Sequence, residues 1–77
     1  MAVSEQQLDA YRQSGEKIRV VRDDIEANDV FGIVVAWDNA TVILRKPSRR
    51  VVKLSRSYYY MSAAQDRVLP DGLFPSS

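Results

Sequence analysis

The chain has 77 residues, 45% of them hydrophobic, no cysteine, no histidine, and a formal net charge of +1 from 11 Lys+Arg and 10 Asp+Glu. That length allows one domain, and it buries only about 60% of the surface exposed by the unfolded chain, so the core must be small or supported by partner subunits. Without Cys or His there are no disulfides, thiolate nucleophiles, imidazole bases, Ser-His-Asp triads or ordinary zinc sites, and the chain reads as a non-enzymatic protein with no cofactor and no metal.

The start, Met1-Ala2-Val3-Ser4-Glu5, has neither a basic cluster nor an apolar run, so the expected location is cytoplasmic. Ser4 with Gln7 three residues on forms a capping-box pattern. Val3 and Leu8 are spaced to close a hydrophobic staple, Leu8 and Tyr11 share one face, and Gly15 is placed as a left-handed stop. This predicts a helix over Glu5 to Gln13, too short to stand alone and therefore docked through that face.

Beyond Gly15 the period changes to two. Lys17 to Arg22 is a first strand with Ile18 and Val20 inward. Asp23 to Asp29 is a polar, acidic loop. Val30 to Trp37 is a long second strand, in which Gly32 predicts a bulge or a sharp bend. This is also the longest apolar stretch, and its eight residues fall far short of the roughly 20 needed to cross a bilayer. Asp38-Asn39 is a turn pair, with Asp38 as its cap rather than an acid-base catalyst, and Thr41 to Arg45 is a third strand. Trp37, at the end of an apolar strand, is expected in the core. Lys46-Pro47-Ser48 turns the chain into a fourth strand over Arg49 to Leu54, and Ser57 to Ser62 is the fifth. Residues 1–65 then make one domain: mostly β, a short N-terminal α-helix followed by a five-stranded, strongly bent small barrel of the Sm-like or SH3-like kind. Residues 66–77, with Leu73 and Phe74, form a C-terminal tail that either docks or moves.

The net charge hides a division along the chain. Residues 1–38 hold four basic residues against eight acids, residues 39–65 hold six basic residues and no acid, and the last twelve hold Arg67 against Asp66 and Asp71. A basic segment of this kind points to an anionic partner, or to pairing with the acidic half within or between subunits.

Several of these residues resemble the bacterial Sm-like RNA-binding family Hfq. Leu8-Asp9-Ala10-Tyr11-Arg12 is similar to the end of that family's helix. Ile18-Arg19-Val20-Val21 is similar to its first strand. Gly32-x-Val34-x-x-Trp37-Asp38-x-x-x-Val42-x-Leu44 resembles its first Sm signature. The family's Tyr-Lys-His-x-Ile-Ser-Thr stretch is not reproduced: the corresponding place reads Val52-Lys53-Leu54-Ser55-Arg56-Ser57 or, with three residues inserted, Tyr59-Tyr60-Met61-Ser62-Ala63 takes its last part, and either way the His is absent. The resemblance covers about 45 to 55 residues and implies the barrel, RNA as partner and a homo-oligomeric ring, but not the family's His-containing uridine pocket. A weaker resemblance is to KOW/SH3-like small barrels, carried by Gly15 to Ile18, Val30 to Val34 and Thr41 to Leu44.

The candidate nucleic-acid-binding residues are Arg49, Arg50, Lys53 and Arg56, which can neutralise phosphates, with Tyr58 and Tyr59 as stacking partners. Alternation along Tyr58-Tyr59-Tyr60 sends Tyr59 to the face opposite its neighbours, so the three cannot all be core. Tyr58, Tyr60 and Met61 are candidate oligomer-interface residues, since an unpaired last strand needs cover and pairing of strand 4 with strand 5 of the next copy supplies it. The basic run also reads as a solvated face set against an acidic neighbour. The Asp23 to Asp29 loop lacks the spacing and the glycine of a calcium loop, so no metal is expected there. The expected function is RNA or single-stranded nucleic-acid binding as a homo-oligomer, with no membrane; the alternative is a protein-interaction module on the same barrel.

Overall fold

A computed structural model describes residues 3–67. Its elements are α1 (Glu5–Ser14), β1 (Ile18–Val21), a 3-10 turn (Glu26–Asn28), β2 (Val30–Trp37), β3 (Thr41–Arg45), β4 (Val51–Ser55) and β5 (Tyr59–Ser62). The five strands form one antiparallel sheet in the order β4-β3-β2-β1-β5, a mostly β domain in the form of a strongly bent small barrel.

The helix begins as its sequence dictates. The Ser4 hydroxyl accepts from the Gln7 N–H at 3.1 Å, the Gln7 side chain accepts in return from the Ser4 N–H at 3.4 Å, and Gly15 closes the other end at φ 66°. Two of the four orphan donors of the first turn are thereby satisfied. Leu8 and Val3 are buried in the core and Tyr11 packs against it, which fixes α1 over the barrel, in contact with β2.

The bend lies in β2, and two residues divide the work. Residues 30–32 pair with β1 and residues 33–37 with β3, so the strand changes partner immediately after Gly32. A Cβ at Gly32 would stand 2.8 Å from the carbonyl oxygen of Arg45, closer than packing allows, and only glycine lets β3 approach there. Of the bulge or sharp bend expected at Gly32, the bend is what stands there, and the bulge sits three residues later: Val35 is the extra residue between the pairs Val34–Leu44 and Ala36–Ile43. Alternation sends Ile18, Val20, Val34, Val42, Leu44, Leu54 and Tyr60 to the interior. Each fully buried aliphatic side chain there contributes roughly 1.5–3 kcal/mol, so this small set carries most of the stability.

β1 is a residue shorter at each end than expected, and two strands start two residues late. Lys46 N–H donates to the Arg50 carbonyl and Arg49 N–H to the Lys46 carbonyl, both at 2.8 Å, so Arg49 and Arg50 belong to the β3–β4 turn and β4 starts at Val51. Likewise the Tyr58 N–H donates to the Ser55 carbonyl at 3.2 Å, so residues 56–58 turn the chain and β5 starts at Tyr59. No helix among the described residues is long and apolar enough to cross a membrane.

Candidate nucleic-acid interface

The β3–β4 hairpin gathers five cations. Arg45 closes β3, Lys46, Arg49 and Arg50 form the turn, and Lys53 projects from β4; all five are exposed. Cross-strand rows put Arg45 between Ile33 and Val51, and Lys53 beside Ile43, on the face opposite the core. Among the described residues none of the five lies within 4.0 Å of a carboxylate. Val51, between the turn and Lys53, is 63% exposed, so the basic surface also carries an apolar patch.

Arg49 has φ 71°, the left-handed region that an ordinary L-residue adopts at a cost of roughly 1–2 kcal/mol. The turn thus holds an arginine where glycine would be unstrained.

Arg56 belongs elsewhere. Its guanidinium donates to the Asp38 carbonyl and to the Val3 carbonyl, each at 2.9 Å, and faces Glu5 at 3.5 Å. Its own N–H donates to Ala40, and its carbonyl accepts from Val3. With 13% of the side chain exposed, Arg56 is a clamp that ties the chain start to the β2–β3 turn. Asp38 caps that turn as expected, its carboxylate accepting from the N–H groups of Ala40 and Thr41 at 2.8 Å and from the Thr41 hydroxyl at 3.0 Å. Those bonds favour the ionised form and hold its pKa below the ordinary carboxylate value, with a smaller contribution from the Lys53 charge.

The tyrosines are divided. Tyr60 is buried in the core, its hydroxyl donating to the Ser55 carbonyl at 2.8 Å, and burial pushes the phenol pKa well above its usual value. Tyr58 is partly buried against the core, and Tyr59 is half-buried in β5 opposite Val21. Met61 is buried within the chain beside Arg19. Of the expected interface residues, Tyr60 and Met61 therefore spend their side chains inside the subunit. The structure brings Arg49, Arg50 and Lys53 together on one hairpin and leaves Arg56 and the tyrosines beyond the far end of β4.

A second cluster of cations went unread in the sequence. Asp29, with 1% of its side chain exposed, accepts from Arg67 Nε at 2.6 Å, Arg67 Nη2 at 3.2 Å and Arg19 Nη1 at 3.0 Å. Arg67 also donates to the Asp23 carbonyl, Glu26 stands 3.5 Å from Arg19, and the Arg19 guanidinium lies 4.7 Å from the centre of the Phe31 ring. Asp23 is used as well: it accepts from the Ile25 N–H and the Asn28 amide, and its pKa is lowered mainly by those bonds. Two of the loop's four acids, Asp23 and Asp29, are thus used inside the subunit, by its own turn and by two arginines, while Asp24 and Glu26 stay exposed. No periodic signal marks this cluster, since its members are ten and 38 residues apart. Arg67, assigned to the tail by sequence, is anchored here; Leu73 and Phe74 lie outside the described residues.

Among the described residues neither β4 nor β5 pairs with a further strand. The bonds Lys46 N–H to Arg50 and Arg56 N–H to Ala40 bracket the β3–β4 ladder, so by alternation Val52 and Leu54 bond β3 while the main-chain groups of Val51 and Lys53 face outward. On β5 the bond from Ala63 N–H to Lys17 sets the alternation that turns Tyr60 main-chain groups outward.

The architecture and surface define a small bent β-barrel with a basic hairpin and with β4 and β5 as its edge strands. No family model, curated protein or solved structure matches the chain.

Proposed function

We propose that this chain is a non-enzymatic, cytoplasmic, Sm-like protein that binds RNA or single-stranded nucleic acid through the β3–β4 hairpin and acts as a homo-oligomer. The observation that carries this reading is the set of five exposed cations on one hairpin, none of them within 4.0 Å of a carboxylate among the described residues. A neighbouring subunit would offer exposed carboxylates such as Glu5, Asp24 and Glu26, spread over the helix and the loop, whereas a phosphate backbone supplies negative charge at regular spacing. The left-handed Arg49 supports the same view, because a cation stands at a position that costs backbone energy. The edge strands β4 and β5 support assembly, since pairing one copy's β4 with the next copy's β5 would satisfy both and close a ring.

The test is anisotropy of short labelled U-rich and A-rich RNAs at two salt concentrations. Binding that weakens as salt rises, and that falls away in Arg49→Ala/Arg50→Ala, is expected. Absence of salt-dependent binding contradicts the reading. Light scattering tests the assembly: a hexamer or heptamer is expected, and a monomer removes the ring.

A further inference from the structure

Resting on that nucleic-acid reading, we infer that the hairpin takes the phosphodiester backbone alone, so that its ligand is a single strand of any base sequence rather than a preferred one. Reading bases requires either an aromatic face on which they stack or polar groups held in register with their edges. The hairpin has neither. From Leu44 to Leu54 the only polar side chains are Arg, Lys and Ser; there is no aromatic residue, no amide and no carboxylate.

The described aromatic residues are committed elsewhere. Tyr60 is buried and bonded, while Tyr11, Trp37 and Tyr58 pack against the core. Phe31 lies nearest in register, two residues from the Ile33 that pairs with Arg45, but its ring is already engaged by Arg19 at 4.7 Å and Lys17 at 5.7 Å. Trp37 and Tyr58 stand at the other end of β4, where the stretch from Arg50 to Arg56 spans about 20 Å at the usual strand rise. Tyr59 is on β5, at the opposite edge of the sheet.

Arginine can also read guanine through two parallel bonds, and a plane already held in place spares the entropy of ordering it on binding. Arg19, Arg56 and Arg67 show what holding looks like in this protein, each guanidinium fixed by carboxylate or carbonyl partners. Among the described residues Arg45, Arg49 and Arg50 have no such bond. They supply charge without orientation, which suits phosphate better than a base edge.

Tyr59 is the aromatic residue that a neighbouring copy, seated edge to edge, would bring toward β4, so it is the discriminating position. The experiment titrates U-rich, A-rich and mixed-sequence RNAs of equal length over a salt series, with the full chain and with Tyr59→Ile confirmed as folded by circular dichroism. Affinities are expected to agree within about threefold across sequences, below the roughly fivefold or more that one stacked or edge-read base would give. The logarithmic salt slope is expected at no more than about −3.5, five phosphates at roughly −0.7 each. Tyr59→Ile is expected to leave both unchanged. A tenfold preference for one sequence overturns the inference while leaving nucleic-acid binding intact, as does a fivefold loss in folded Tyr59→Ile. If Tyr59→Ile does not fold, the sequence comparison in the unsubstituted chain decides alone. No salt-dependent binding to any of the RNAs removes the nucleic-acid reading and this inference with it.

Discussion

Arg67 and Arg50 carry the same guanidinium on one small barrel, yet they do different work. Around Asp29 two arginines share a buried carboxylate, one of them also bonds a main-chain carbonyl, and the exposed side-chain fraction is 14% for each. On the β3–β4 hairpin five cations stand exposed with no carboxylate within 4.0 Å among the described residues. Charge counted along the chain cannot tell these regions apart, but partnership can. A buried arginine that loses its anion leaves an uncompensated charge, whereas an exposed one loses only weak, screened interactions. The first region therefore holds the fold together, and the second is free to meet a ligand.

Four substitutions would break or sharpen that contrast. Asp29→Asn should cost the most, about 3 kcal/mol in denaturant unfolding, because Arg19 and Arg67 would face each other without the carboxylate. An unchanged midpoint would mean that solvent already screens the cluster. Arg56→Ala follows, at about 2 kcal/mol, since it removes two charge-assisted bonds to the Asp38 and Val3 carbonyls and unties the chain start. RNA affinity measured on the folded fraction should change little.

Arg49→Gly should move the opposite way, with a gain of about 0.5 kcal/mol, the left-handed cost being relieved and partly offset by the freer unfolded chain. RNA binding should nonetheless weaken, so stability and binding separate in sign at a single residue. A loss of stability there would show that the Arg49 side chain is a packing element.

The smallest effect concerns pH. Asp38 has its folded pKa lowered by the Ala40 and Thr41 N–H groups and the Thr41 hydroxyl, so its stabilisation is full above the unfolded carboxylate value and is lost as pH falls through the folded one. Asp38→Asn should flatten the acid side of the stability curve and leave the neutral side almost level, as read by unfolding midpoints across a pH series.

Much of the fold was legible because its signals are local. The capping box at Ser4 and Gln7, the Gly15 stop, and the strands Val30–Trp37 and Thr41–Arg45 each declare themselves within a few residues. Errors arose where local pattern and hydrogen bonding part company. Arg49 and Arg50 continue an alternating run but are captured by the turn bonds to Lys46, and the bulge falls at Val35 while Gly32 serves the bend and the close approach of β3. In the candidate site, the cations of the hairpin could be seen in the sequence, but their lack of partners could not. Arg56 looked like another member of the basic run until Val3, 53 residues away, supplied the carbonyl that holds it. Asp29 looked like one more loop acid because its partners meet it only after the sheet has formed.

The most direct measurement is the salt dependence of RNA binding in Arg49→Ala/Arg50→Ala set beside Arg67→Ala, with unfolding followed on the same samples. The unpaired pair should reduce the magnitude of the logarithmic slope by about 1.4, two phosphates at roughly 0.7 each, with stability changed by no more than about 1 kcal/mol. Arg67→Ala should leave the slope in place and lower stability. A slope that falls with Arg67 and holds without Arg49 and Arg50 would contradict the division of the cations into structural and binding sets.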